Sequence, residues 1–175
     1  MPPRADLRPT PDRVRETLFN WLGQRLDGLA CLDLFAGSGA LGFEAASRGA
    51  ARVVMAENDR GVFTSLETMR NLLGAKRVEL VLGDAFDYLK KAKDRFDVVF
   101  LDPPFRQNAL PAVMERLPAR LSLRARVYVE AAAPLEPRLP WRELKRARAG
   151  QVSYQLLEWE GGEKAHDQGG LPGNV

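Results

Sequence analysis

The spacing of apolar residues changes repeatedly along this chain, and each change marks an element. Val14, Leu18, Trp21 and Leu22 recur at helical intervals behind Thr10-Pro11. Threonine can cap a helix there and proline is pre-set for its first position, so a helix is expected from Pro11 to about Leu26. "CLDLFAG" is then a short apolar strand breaking into a glycine turn, and "ALGFEAASRG" a helix stopped by Gly49. The alternation continues with strands in "ARVVMAEND", "VELVLGDA", "FDVVFLDPP" and "ARVYVEAAA". Between them lie helices in "RGVFTSLETMRNLLG", "FDYLKKAK" and "LPAVMERLPARL". "WRELKRARAGQVSYQLLEWE" reads as two strands joined near Ala149-Gly150. Strands separated by helices predict an α/β fold: a doubly wound, mostly parallel sheet with helices on both faces. The helix-free end adds an antiparallel hairpin at one edge. One domain is expected over residues 1–160, and the glycine-rich polar residues 161–175 read as a disordered tail.

Composition narrows the class. The 175 residues, 45% of them hydrophobic, suffice for one core and not for two. No apolar run approaches the roughly 20 residues of a membrane span. The opening "MPPRADLRPTPDR" has no signal-peptide core, so a soluble cytoplasmic protein without a membrane partner is expected. The single Cys31 rules out an internal disulfide framework and reads as a small buried hydrophobe. The single His166 lies in the tail, and no metal site is expected. Net charge is only +3, but arginine and lysine crowd the stretch from Arg116 to Arg148 against just Glu130, Glu136 and Glu143. Such an excess either solubilises a face or attracts phosphate, and charge alone weighs the two equally.

In a doubly wound sheet, ligands bind beyond the carboxyl ends of the strands, where strand order reverses. Those ends carry Asp33 with the Phe35-Ala36-Gly37-Ser38-Gly39 turn, then Glu57-Asn58-Asp59, Gly83-Asp84-Ala85 and Asp102-Pro103-Pro104-Phe105. Gly37, Gly39 and Gly42 meet the G-x-G-x-x-G spacing, which lets backbone approach a ligand closely. The same spacing alone also describes a tight strand-to-helix turn. Glu57, 20 positions after Gly37, is placed to accept hydrogen bonds from ribose hydroxyls; otherwise it is a solvated loop carboxylate. Asp84 can accept from an adenine amino group, with Ala85 and Phe86 closing over the ring, and can cap the next helix as well. Together these residues describe a site for an adenosine-bearing cofactor, without separating NAD from S-adenosylmethionine.

The Asp102-Pro103-Pro104-Phe105 tetrapeptide supplies the chemistry. An exocyclic amino group on a heteroaromatic ring is a poor nucleophile because its lone pair is delocalised. Accepting hydrogen bonds from both its N–H groups draws the nitrogen towards a tetrahedral shape. Asp102 can provide one acceptor and the Pro103 carbonyl the other, held in direction by the prolines. Phe105 offers an aromatic face for the target base, worth roughly 1–3 kcal/mol. A rigid loop without chemistry would explain the prolines but not the flanking Asp and Phe.

The order of these motifs resembles the class I S-adenosylmethionine-dependent methyltransferases. "RPTPDRVRETLFNWL", "CLDLFAGSGALGFEA", "FLDPPF" and "AGQVSYQL" more specifically resemble the bacterial 16S ribosomal RNA guanine-N2 methyltransferase family, which modifies the guanine usually called G966. The resemblance spans about Arg8 to Glu160. It implies that Asp33 and the Phe35 to Gly39 turn hold the methionine part of S-adenosylmethionine, Glu57 with Asn58 the ribose, and Asp84, Ala85 and Phe86 the adenine. Asp102 to Phe105 would take the flipped guanine. Thr10 and Arg13, on the first helix, would reach the cofactor carboxylate or the RNA. Arg106, Arg146 and Arg148 are candidates for contact with nucleic acid. The implied partner is 16S rRNA or the assembling 30S subunit, met by a monomer. Family members usually carry a glycine- and arginine-containing β-hairpin ahead of the "RPT" block. Its absence here sets the expectation of a truncated or misplaced start and weakened RNA affinity. DNA adenine or protein glutamine methylation would use the same tetrapeptide, but those families usually carry a further recognition domain. A non-catalytic RNA-binding module has no need of the acceptor pair, and a dehydrogenase lacks an evident proton donor beside the cofactor.

Overall fold

The computed structural model describes residues 12–104 and 108–161. Thr10, Phe105, Arg106, His166 and the expected tail beyond Gly161 therefore lie outside the described residues. Helices are α1 (Asp12–Leu22), α2 (Ala40–Ser47), α3 (Arg60–Leu73), α4 (Ala85–Lys91) and α5 (Leu110–Arg116), the last running into a 3-10 turn, Leu117–Arg120. Strands are β1 (Ala30–Asp33), β2 (Arg52–Glu57), β3 (Val78–Leu82), β4 (Phe96–Leu101), β5 (Leu121–Ala131), β6 (Trp141–Ala149) and β7 (Val152–Trp159). They form one seven-stranded sheet in the order β3-β2-β1-β4-β5-β7-β6. The first five strands are parallel, while β7 pairs antiparallel with both β5 and β6. The expected doubly wound sheet with an edge hairpin is thus the fold.

Side-chain alternation assigns each face. Val98 and Phe100 of β4 join Leu18, Phe19, Leu41, Met55 and Tyr128 in the core under α1 and α2. Val99 and Leu101 face the other way, with Leu89, Val113 and Val127, under α4 and α5. The central strands are buried on both faces, as parallel sheets covered by helices are. Phe19 and Phe100, with ring centroids 5.9 Å apart, tie α1 to the middle of the sheet.

Three boundaries differ from the sequence expectation. The first helix ends at Leu22, because Gly23 turns to a φ of 109°. Leu26 still enters the core, but from a loop, where its N–H donates to the Arg48 carbonyl. The fifth helix is α-helical only to Arg116, since Pro118 cannot donate to an α-helical ladder, and the chain tightens into the 3-10 turn. β5 begins at Leu121 rather than Ala125: its register jumps from Phe96↔Leu121 to Val98↔Arg126, with Arg124 at φ 64°. That irregularity is a β-bulge.

β1 sits between β2 and β4. The chain winds outwards through β2 and β3, then crosses to β4 on the opposite side. The crevice of strand reversal therefore opens above the C-terminal ends of β1 and β4, where Asp33 is in register with Phe100.

Candidate cofactor and target site

The glycine turn closes around its own carboxylates. Asp33 ends β1 and is only 3% exposed. Burial pushes its carboxyl up to about 7, against backbone hydrogen bonds from Gly42 and Phe35 that pull it down, with nearby Glu57 adding to the rise. Gly37 has φ 54°, and its N–H donates to Glu57 Oε1 at 2.9 Å. The Asp59 N–H donates to Glu57 Oε2 at 3.0 Å, and the Gly83 N–H to the Glu57 carbonyl at 2.9 Å. Glu57 thereby joins the ends of the first three strands. The Ser38 hydroxyl accepts from the Ala40 N–H at the start of α2. Phe35 is half-buried and Ala36 buried, its N–H bonded to the Ala56 carbonyl.

The glycine spacing has two separate causes. A Cβ on Gly39, at φ 85°, would lie 2.6 Å from the Phe43 ring and 2.8 Å from Leu66. One on Gly42 would lie 2.7 Å from the Met55 sulfur, so this glycine lets α2 settle onto β2. Gly37 differs: a Cβ there would meet nothing within 4 Å. The space beside that exposed backbone is open, which fits a ligand lying against the turn.

Asp84 caps α4, with Oδ2 accepting the N–H groups of Phe86 at 3.0 Å and Asp87 at 3.3 Å. Ala85 is buried, and the half-buried Phe86 ring carries the Arg116 guanidinium 5.2 Å from its centroid. Asn58 is exposed in the loop after β2.

At the end of β4, Asp102 is half-buried, Pro103 buried and Pro104 exposed. Continuing the alternation of Val98 and Phe100 turns Asp102 towards the α1 face. There its charge contributes to holding the Tyr128 hydroxyl protonated, after the larger effects of burial and of Glu130. The Tyr128 hydroxyl donates to Glu130 Oε1 at 3.0 Å, and its ring stacks on Tyr154 with centroids 6.3 Å apart. Sequence reasoning missed this group; the signal was Tyr128 and Glu130 two apart on one strand, opposite Tyr154 in the hairpin.

The basic candidates separate. Arg146 is engaged, with Nε 2.8 Å from Glu143 Oε2 and Nη2 3.3 Å from Glu136 Oε1. Arg148 and Arg13 are exposed and share a pocket between α1 and the β6–β7 turn. Among the described residues, no group of His, Cys, Asp and Glu could hold a metal ion, and no helix is long and apolar enough to cross a membrane.

Comparison with known proteins agrees with this geometry. The family model "Conserved hypothetical protein 95" matches residues 1–158. Ribosomal RNA small subunit methyltransferase D of Escherichia coli K12 is 41% identical over 91% of this chain and 83% of its own. The counterpart from Haemophilus influenzae is 42% identical over 87% of this chain and 83% of its own. The solved yhhF structure from Escherichia coli is 40% identical, superposing with a TM-score of 0.80 over 87% of this chain and 88% of its own. A strand order that reverses over a glycine turn, an acid after β2 and Asp-Pro-Pro after β4 define an S-adenosylmethionine-dependent methyltransferase. Within that class, the chain belongs to the family of ribosomal RNA small subunit methyltransferase D.

Proposed function

We propose that this enzyme methylates the exocyclic N2 of a guanine in 16S ribosomal RNA, at a G966-type position, using S-adenosylmethionine. The observation that carries the reading is the pairing of β1 with β4, Asp33 against Phe100. It brings the glycine turn and the Asp102-Pro103 acceptor pair to adjacent strand ends. S-adenosylmethionine supplies an electrophilic methyl group on a sulfonium sulfur. Glu57 accepts from the ribose hydroxyls while keeping its bonds to Gly37 and Asp59, because each carboxylate oxygen accepts more than one hydrogen bond. Asp84 Oδ1 accepts from the adenine amino group while Oδ2 caps α4. Asp33, Phe35, Ala36, Ser38 and Gly39 shape the turn for the methionine part.

Asp102 and the Pro103 carbonyl accept the two N–H groups of the guanine amine and localise its lone pair. The proton released from nitrogen leaves to Asp102 or to water. Phe105 stacks on the base, Pro104 holds the backbone direction, and Thr10 and Arg106 belong to the same substrate-facing edge. The working unit is a single cytoplasmic domain, residues 1–160, followed by a disordered tail. It acts as a monomer without a metal on 16S rRNA or the assembling 30S particle.

Transfer of tritium from labelled S-adenosylmethionine into unmodified small-subunit RNA or 30S particles, with mass mapping of the product nucleotide, tests the substrate. Label in neither would sink it. Asp102→Ala tests the mechanism: methyl transfer is expected to fall by about 10²–10³, the scale for one preorganised polar group, with cofactor binding retained. Undiminished transfer would favour a different acceptor.

A further inference from the structure

The pocket between α1 and the β6–β7 turn has a volume of about 160 Å³, room for one planar ring rather than a whole cofactor. Trp21 and Tyr154 give it flat walls, Tyr128 is its inner limit, and Thr17 contributes a hydroxyl. Arg13 and Arg148 stand at the same pocket, one from the helix and one from the hairpin. Among the described residues neither makes an ion pair. Their neighbours do: Arg15 with Asp12 and Glu44, Arg142 with Glu158 and Glu160, Arg146 with Glu136 and Glu143. The two uncompensated guanidinium groups therefore flank the stretch of surface with aromatic walls.

Register locates this pocket relative to the acceptor pair. Leu101, immediately before Asp102, pairs with Val129, so Asp102 stands level with Glu130. Glu130 pairs with Tyr154, and Tyr154 with Ala147. Neighbouring strands lie roughly 4.8 Å apart, which sets the Tyr154 row two strands, or about 10 Å, from Asp102. Because β7 runs antiparallel, the turn bearing Arg148 returns to the strand-end edge that carries Asp102. The offset is too large for a base whose amine touches Asp102, and within reach of the next nucleotide along an extended strand.

We infer that this pocket binds a nucleotide flanking the target base, with the base between Trp21 and Tyr154 and its phosphate on Arg13 and Arg148. Stacking on aromatic faces tolerates any base, and the guanidinium groups read backbone charge, so the subsite holds the strand in position. The Thr17 hydroxyl is placed to meet a base edge or a 2′-hydroxyl, the group that separates RNA from DNA.

The inference rests on the RNA reading proposed above, and its test separates the two. Steady-state methylation of naked small-subunit RNA is measured for the parent chain and for Arg13→Gln, Arg148→Gln, Arg148→Lys and Ala149→Trp. RNA binding is followed over a salt series, and S-adenosylmethionine binding by calorimetry. Each glutamine variant is expected to raise KM for RNA by roughly tenfold and to lower the slope of log affinity against log salt by about one. kcat and cofactor affinity should hold, and Arg148→Lys should keep the salt slope. Ala149→Trp, which fills the pocket from the hairpin side, should raise KM at high salt as well, with folding verified by circular dichroism. KM and salt slope unchanged in both glutamine variants would overturn the subsite while leaving the enzyme an rRNA methylator. Loss with 30S particles but not with naked RNA would assign the pocket to a ribosomal protein and overturn it too. A parent chain that methylates no ribosomal RNA would instead refute the function proposed above.

Discussion

A carboxyl group enclosed at the end of β1 makes the stability of this protein depend on pH in an unusual direction. Asp33 rises from the ordinary 3.8 to about 7, chiefly through burial. Between those values the unfolded chain has lost the proton and the folded chain keeps it, so this group's contribution to stability falls as pH rises and levels off above about 7. The range is on the order of 4 kcal/mol. Asp33→Asn should remove the slope, since the amide oxygen still accepts from Gly42 and Phe35. Urea midpoints at pH 5 and pH 8 measure it: the variant should gain on the parent at the higher pH, and parallel profiles would refute the assignment. The aspartate itself was legible in the sequence as a site residue, but its enclosure was not. That depends on α2 closing over the strand end, a packing event that no local pattern encodes. Cys31, read as a small hydrophobe, is indeed fully buried, its thiol pushed up to about 12 mainly by burial.

Element types were legible wherever a hydrophobic period ran into a glycine or proline, and boundaries were less so. Leu26 extends the helical spacing of α1, yet Gly23 ends the helix and the leucine reaches the core by a loop. The β5 bulge left no trace in spacing, because Leu121 and Leu123 read equally well as the end of a helix. The G-x-G-x-x-G spacing marked the turn but not the reason for each glycine, which lies in Phe43, Leu66 and Met55 across the fold. From that difference the two inner glycines should respond unequally to alanine. Gly39→Ala meets both a left-handed φ and packed carbons and should cost about 2–4 kcal/mol. Gly42→Ala displaces only the flexible Met55 side chain and should cost about 1–2 kcal/mol. Denaturant unfolding of both variants checks the order, and equal losses would mean the backbone angle at Gly39 carries no strain.

For the whole molecule, the alternation of strands and helices was enough to foretell the parallel sheet and its hairpin, because each crossover helix forces its strands parallel. The pocket beside α1 was not foreseeable: Arg13 and Arg148 are 135 residues apart, and only the antiparallel return of β7 and β6 brings them together. Cofactor binding should stiffen a molecule whose glycine turn, β2 and β3 are already tied through Glu57. Excess S-adenosylhomocysteine, at about one hundred times its Kd, should raise Tm by roughly 5–10 °C; no shift would argue that the cradle does not hold this ligand. The reversal of strand order at β1 and β4 has a further consequence for descent. The proposed methyl-donor residues through Asp84 lie on or beside β1 to β3, and the residues proposed to choose a substrate lie on β4 to β7 and the helix above them. A lineage can therefore revise its RNA target by altering one flank of this seam while inheriting the other unchanged.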